Sequence, residues 1–276
     1  MILLVVGADR VDAGKTTFST GLLERTGAVG YKPRAGNDFW FDHDDCRRAL
    51  ADGRLYGKDA ARLSAAASRG RAPERLNPVH RLWQPSPDGG SGLLGRSDRE
   101  FVVDRIGRDP EDALFVRNAT AEVPDAVADA LPLADAVSIE TVAEFNDLTE
   151  REYVPAFDRL ADEIEDTDVA VVESYSDIAR PLSSLDPAQV AAVAAVEPGR
   201  VRIYSGDRYC RACEIASSSP RDGAIEKRVP DVLDYLDPLE RVRLPPLDKE
   251  QRDDPARIAR AYANAYDAFL DAAGRV

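Results

Sequence analysis

The chain has 276 residues, and its 50 Asp and Glu residues outnumber its 36 Lys and Arg residues, which gives a formal net charge of −14. A surface this acidic repels nucleic acid and anionic membranes, which argues against both as partners. Many acids with few lysines are typical of a protein from a salt-loving organism. Because no secretory leader and no stretch of membrane-spanning length are visible in the sequence, we expect a cytoplasmic protein.

The first twenty residues contain the most informative motif. Met1 to Val6 is an apolar run of strand length, and Phe18 to Arg25 has a helical pattern. Between them stands Gly14-Lys15-Thr16-Thr17. A turn between a strand and a helix directs backbone N–H groups and the helix dipole at one point, which suits phosphate. The predicted nucleotide-binding residues are Asp12, Ala13, Gly14, Lys15, Thr16 and Thr17.

In such a loop, Lys15 would contact the β- and γ-phosphates, and the Thr16 hydroxyl would bind Mg²⁺. The usual glycine five residues before Gly14 is replaced by Asp9, so this loop is a variant. The alternative is an ordinary strand-to-helix turn that happens to contain these residues.

Strands and helices alternate along the rest of the chain. Strands are predicted at Ala28–Lys32, Phe101–Arg105, Ala113–Arg117, Val169–Val172, Val201–Tyr204 and Val242–Leu244. Helices are predicted at Cys46–Asp52, Lys58–Arg69, Glu122–Leu131, Glu140–Asn146, Arg151–Ile164, Pro187–Val196 and Pro255 to about Ala273. Residues 34–45 and 77–98 are rich in Gly, Pro, Asn, Asp or Ser and are interpreted as loops.

This alternation predicts an α/β fold with a mostly parallel, doubly wound sheet and helices on both faces. No domain boundary is evident. The expected organisation is therefore a single domain over residues 1–276, with an irregular loop or insertion around residues 77–118.

Charged residues stand at the ends of two predicted strands, where an open α/β sheet binds its ligands. Lys32 ends the second strand, and Glu173 follows the apolar run Val169–Val172. Glu173 occupies the place where a phosphate-loop protein puts an acidic residue for magnesium or water. The alternative for Glu173 is a solvated carboxylate at a strand end.

At this point the chain resembles dethiobiotin synthetase and the related cobyrinate synthases. The resemblance rests on four blocks that occur in the same order: Gly7–Thr17, Gly30–Pro33, the pair Asn77-Pro78 with Gln84–Pro87, and Val171–Glu173 followed by Pro181. It implies a P-loop NTPase fold that binds ATP (or GTP) and Mg²⁺, often as a homodimer.

The resemblance also assigns roles by position. It implies that Lys15 and Thr16 hold phosphate and metal, that Lys32 faces the phosphoryl acceptor, and that Glu173 is a metal ligand. A second metal carboxylate is expected after the second strand, where Asp45 matches best and Asp44 is the alternative.

Some positions depart from the family pattern. The family has a Gly-rich run after its Glu, whereas this chain has Ser174–Asp177. The His expected after Gln84–Pro87 and the late strand that recognises adenine are not found in the sequence. These differences leave the acceptor unidentified and leave open the choice between ATP and GTP.

The cysteines and histidines allow other sites to be considered. Cys210 and Cys213 form a Cys-x-x-Cys pair, but a structural zinc site needs four ligands, and outside the two histidines only Cys46 remains. Two interpretations of the pair remain: two ordinary thiols on one helical turn, or half of a metal site shared across a dimer. His43 and His80 are placed in loops and are not assigned a catalytic role.

The expected function is that of an enzyme: Mg²⁺-dependent ATP or GTP binding and hydrolysis, with phosphoryl transfer to a small carboxylate- or carbamate-like acceptor. Lys15 and Lys32 are the predicted catalytic residues. The alternative is a nucleotide-gated switch or assembly ATPase that acts on a protein partner. A third interpretation is a P-loop protein that binds nucleotide without turnover. The presence of Lys15, Thr16 and Glu173 argues against it.

Overall fold

The computed structural model describes residues 1–8, 13–67, 70–86, 89–90, 92–94, 98–216 and 227–274. These residues form helices and two sheets that contain both parallel and antiparallel pairs, so the protein belongs to the α/β class. The chain divides into two compact units. The first unit comprises Met1–Pro33, Arg62–Gly70 and Ala161–Val276, and the second comprises Arg34–Ala61 and Arg71–Leu160.

The bounds of the elements are as follows. The strands are β1 (Ile2–Gly7), β2 (Val29–Tyr31), β3 (Arg34–Asp38), β4 (Val79–Pro85), β5 (Arg99–Ile106), β6 (Leu114–Asn118), β7 (Val137–Ile139), β8 (Ala170–Glu173), β9 (Val190–Glu197), β10 (Arg200–Ser205) and β11 (Glu240–Arg243). The α-helices are α1 (Lys15–Thr26), α2 (His43–Ala51), α3 (Lys58–Ala66), α4 (Pro73–Leu76), α5 (Asp125–Ala130), α6 (Val142–Leu148), α7 (Val154–Glu165), α8 (Gly206–Ile215), α9 (Val229–Leu233), α10 (Lys249–Arg252), α11 (Pro255–Ala261) and α12 (Ala263–Ala273). Short 3₁₀ helices occupy Leu133–Asp135 and Pro187–Gln189, and a π-helical turn occupies Thr149–Tyr153.

The sheet of the first unit has the strand order β11-β10-β9-β1-β8-β2. Strands β9, β1, β8 and β2 are parallel, whereas β10 is antiparallel to both of its neighbours. All residues of β1 are buried, which explains its continuous apolar sequence. The register pairs Val5 with Glu173 and Tyr31 with Val172, so the carboxyl ends of β1, β8 and β2 lie at one edge of the sheet.

The helix predicted at Pro187–Val196 is wrong, because Val190–Glu197 is strand β9. Asp186 accepts a hydrogen bond from the Ala188 amide, but the turn that it begins ends at Gln189. The following run of Ala and Val is buried along its whole length between β1 and β10. Periodicity alone does not distinguish such a fully buried strand from a buried helix, and here tertiary packing decides.

The C-terminal helices pack against α1 through an aromatic cluster. The Phe18 ring centroid lies 4.9 Å from that of Tyr266 and 6.2 Å from that of Phe269. The Tyr266 hydroxyl donates a hydrogen bond to the Phe18 carbonyl at 2.9 Å. The predicted single helix from Pro255 is interrupted at Tyr262, where α11 ends and α12 begins.

The second unit contains a sheet with the order β3-β4-β5-β6-β7, of which the sequence predicted β5 and β6 but not the other three strands. The loop predicted at 34–45 includes β3, and the loop predicted at 77–98 includes β4. The region 77–118, expected to be an irregular loop or insertion around two short strands, contains the three paired strands β4, β5 and β6. The residues of the second unit thus form a separate sheet with its own apolar clusters, and the organisation as a single domain stays a prediction.

Among the described residues, no helix combines the length and the apolar composition needed to cross a membrane.

Candidate nucleotide site

The side chain of Lys15, the first residue of α1, reaches over the end of β1. Gly14 precedes α1 with a φ of 84°, in the left-handed region that glycine adopts most readily. Gly7 closes β1, and a Cβ added there would lie 2.7 Å from Lys15 Nζ and 3.1 Å from Lys15 Cδ. The end of the Lys15 side chain therefore occupies the space that a side chain at position 7 would fill.

The Lys15 ammonium donates a hydrogen bond to the carbonyl of Ser176 at 2.9 Å. Ser176 belongs to the loop that follows β8, and its φ of 51° is unusual for a residue with a side chain. This contact connects the beginning of α1 to the β8 loop, and sequence reasoning did not find it. Nothing in the local sequence marks a carbonyl as a partner, because every residue has one.

Glu173 is the centre of a buried polar cluster at the same edge of the sheet. Its side chain is fully buried, and its Oε1 atom accepts a hydrogen bond from the Thr16 hydroxyl at 2.7 Å. The same Oε1 atom lies 2.5 Å from the Lys32 Nζ atom, and Lys32 is only 3% exposed. Residues from α1, β8 and the end of β2 thus meet at one carboxylate oxygen.

The second oxygen of Glu173 has no hydrogen-bond partner within the described part of the chain. A buried carboxylate oxygen without a partner is unusual and costs free energy. Carboxylate and hydroxyl oxygens are ligands that Mg²⁺ prefers, and the proton of Thr16 already points to Glu173, so the lone pairs of its hydroxyl remain available. Thr16 and Glu173 therefore fit a magnesium ion.

No group of three or more His, Cys, Asp or Glu side chains within the described ranges is arranged to hold a metal ion. This is compatible with magnesium, which usually keeps several waters and binds one or two carboxylates together with substrate phosphates. It gives no support to a multi-cysteine zinc site in those ranges.

Most of the predicted site residues lie in the first unit, at or near this edge of the sheet. Ala13 is buried before the turn, and Thr17 is half-buried in the first turn of α1. Asp12 lies outside the described residues.

Asp45 lies in the second unit, on the first turn of α2. Its carboxylate accepts a hydrogen bond from Arg48 at 2.8 Å and lies 3.9 Å from Lys58 Nζ. Asp44, on the same turn, is exposed. The assignment of either residue as a metal ligand stays a prediction.

The cysteines are buried thiols in this structure. Cys210 and Cys213 lie on α8, and burial raises the pKa of Cys213 to about 12 and also raises that of Cys210. Cys46 lies on α2, where burial raises its pKa to about 12. The sequence placed both histidines in loops, but His43 begins α2 and His80 is fully buried in β4.

Comparison of the chain with protein-family models, with curated proteins and with solved structures gave no match.

Proposed function

We propose that the first unit is a P-loop NTPase of the dethiobiotin synthetase-like kind, with a doubly wound sheet, that binds and hydrolyses Mg²⁺-ATP or Mg²⁺-GTP in the cytoplasm. The observation that carries the proposal is the hydrogen bond between Thr16, in the first turn of the helix after the glycine turn, and Glu173 at the end of the neighbouring strand. A Gly-Lys-Thr-Thr sequence in an ordinary turn would not require this contact with a buried carboxylate.

In this proposal, the amides at the start of α1 and the Lys15 ammonium bind the phosphates. Thr16 and Glu173 hold the magnesium ion, which neutralises charge on the transferring phosphoryl group when bound. Lys32 stabilises charge on the acceptor. Catalysis of this type depends on positioning and electrostatics, for which a buried and well-packed cluster is suited.

Equilibrium binding of a fluorescent ATP or GTP analogue, with and without Mg²⁺, tests the nucleotide site. Lys15→Ala is expected to weaken binding by about 10- to 100-fold, because hydrogen bonds to charged groups contribute about 1.5–3 kcal/mol and 1.4 kcal/mol is tenfold. Lys249→Ala, at an exposed position on α10, is the matched control and should bind as the wild type does. Wild-type affinity in Lys15→Ala would exclude the phosphate-loop assignment.

The acceptor part of the proposal is tested separately. Wild-type protein is incubated with nucleotide, Mg²⁺ and a panel of small mono- and dicarboxylic acids, amines and bicarbonate, and phosphorylated products are followed by ³¹P NMR. A ligase-type enzyme requires one of these acceptors for rapid turnover. Hydrolysis at one rate regardless of the panel contradicts transfer to these acceptors.

One observation favours a nucleotide-gated switch as a second candidate. Lys15 is bound to the β8 loop at Ser176. That loop is joined to the first residue of α9 by a hydrogen bond from the Val229 amide to the Asp177 carbonyl, and to the preceding segment by one from the Ala179 amide to the Lys227 carbonyl. A phosphate that draws Lys15 away from Ser176 would change this connection. Hydrolysis stimulated by a protein partner, and not by a small acceptor, would support this function.

A further inference from the structure

Lys32 already forms an ion pair with Glu173 in this structure. Its ammonium lies 2.5 Å from Glu173 Oε1, both side chains are almost completely buried, and Thr16 binds the same oxygen. A lysine that is 3% exposed has little surface to offer a ligand. To stabilise charge on an acceptor, Lys32 has to change its position or its surroundings.

Binding of a divalent cation to Glu173 would cause such a change. The cation would bring a charge of +2 to a carboxyl group whose other oxygen already faces the +1 charge of Lys32. Like charges on one carboxylate repel strongly where water is excluded. The Oε2 atom of Glu173, which lacks a partner in the described residues, offers the cation a place to bind.

We propose that Lys32 and a divalent cation are alternative counter-ions of Glu173, so that metal binding releases the Lys32 ammonium toward the phosphoryl acceptor. The movement of Lys32 toward a phosphoryl acceptor rests on the proposed function, whereas the exchange of cations on Glu173 does not. Lysine suits the task because its ammonium is a compact charge on a flexible stem. The consequence is an order of events in which metal binds first and the acceptor site gains its positive charge afterwards.

Binding of Mn²⁺ alone, followed by electron paramagnetic resonance without nucleotide, tests the exchange. Lys32→Met should bind Mn²⁺ at least about tenfold more tightly than the wild type at one site, since the competing cation is removed. The double variant Lys32→Met/Glu173→Gln should lose that site, which separates it from weak binding to the acidic surface. Lys249→Met is the matched control and should behave as the wild type. Equal or weaker Mn²⁺ binding by Lys32→Met overturns the proposal.

A measurement on the wild-type protein covers the case in which Lys32→Met does not fold. The chain has only five lysines, so protein labelled with ¹³C and ¹⁵N at lysine gives few side-chain signals, and Lys32→Arg identifies the signal of Lys32. Mg²⁺ should shift the Lys32 signal while Lys249 stays unchanged. A Lys32 signal that does not move at saturating Mg²⁺ overturns the exchange.

The same spectra separate this inference from the proposed function. Added nucleotide should shift the Lys15 signal if the phosphate site is correctly assigned. A Lys15 signal that never responds to ATP or GTP contradicts the proposed function, even where Mg²⁺ moves Lys32. A response of Lys15 without any response of Lys32 to Mg²⁺ contradicts only the cation exchange.

Discussion

Gly7→Ala is expected to damage nucleotide binding while leaving the fold nearly intact. The added Cβ would lie 2.7 Å from Lys15 Nζ and 3.2 Å from the Ser176 carbonyl oxygen. Non-bonded heavy atoms prefer a separation of about 3.5–4.0 Å, so the end of the Lys15 side chain must move by roughly 1 Å. A flexible side chain can make that shift at small cost to stability, but the ammonium is then displaced from the position at which it would meet phosphate.

The size of the effect follows from what Lys15 contributes. Complete loss of a charged hydrogen bond costs about 1.5–3 kcal/mol, and a displaced ammonium loses part of this, so affinity for Mg²⁺-nucleotide should fall by about tenfold. The free energy of unfolding should fall by about 1 kcal/mol, at the low end of the cost of adding a methyl group to a packed site, because the closest atoms belong to a flexible side chain. The assay is a titration with a fluorescent nucleotide beside urea unfolding of the same variant.

Gly90→Ala is the matched control, because a Cβ at Gly90 has open space around it and the position has no positive φ. It should change neither affinity nor stability. If Gly7→Ala binds nucleotide as tightly as Gly90→Ala does, the Lys15 ammonium at Gly7 has no part in phosphate binding.

Two further predictions concern packing and the thiols. Gly21→Ala places a Cβ against the Tyr266 hydroxyl and Ile258, so it should lower the free energy of unfolding by about 1–3 kcal/mol. The same change inside an uncrowded helix raises the free energy of unfolding by up to about 1 kcal/mol. Urea unfolding shows whether the variant is less or more stable than the wild type. The buried thiols, whose pKa values are raised, should react with a disulfide reagent at pH 8 only after denaturant is added, and a thiol that reacts at once in the native protein would contradict the burial described here. The thiols concerned are Cys46, Cys210 and Cys213.

The sequence was informative where local rules decide the structure. The apolar run before Gly7 could only be buried, and the start of α1 at Lys15 follows from the turn at Gly14. Lys32 and Glu173 could be placed at strand ends because parallel strands end at a common edge. Their direct contact through one oxygen was not predictable, since it depends on β2 lying beside β8 in register.

The elements that the sequence missed depend on distant partners. Strand β3 has the sequence RAGND, which has little preference for a strand, and it is paired with β4 more than forty positions further along the chain. Gly36 permits this pairing, because a Cβ there would lie 2.9 Å from the Arg81 carbonyl oxygen. Tertiary packing also made β9 a strand, although its Ala-rich sequence has helical preference.

The geometry also explains why two of the few lysines in this chain stand where they do. Most of the positive charges in this chain are Arg, but Lys15 donates to the Ser176 carbonyl oxygen and Lys32 pairs with Glu173 Oε1. An Arg guanidinium is a planar fork suited to two oxygens, and Glu173 Oε1 is already shared with Thr16. A compact ammonium fits this position, where Lys32 is only 3% exposed, and the cation exchange proposed above requires that it can leave. A small point charge therefore suits these two positions better than the planar guanidinium of Arg does.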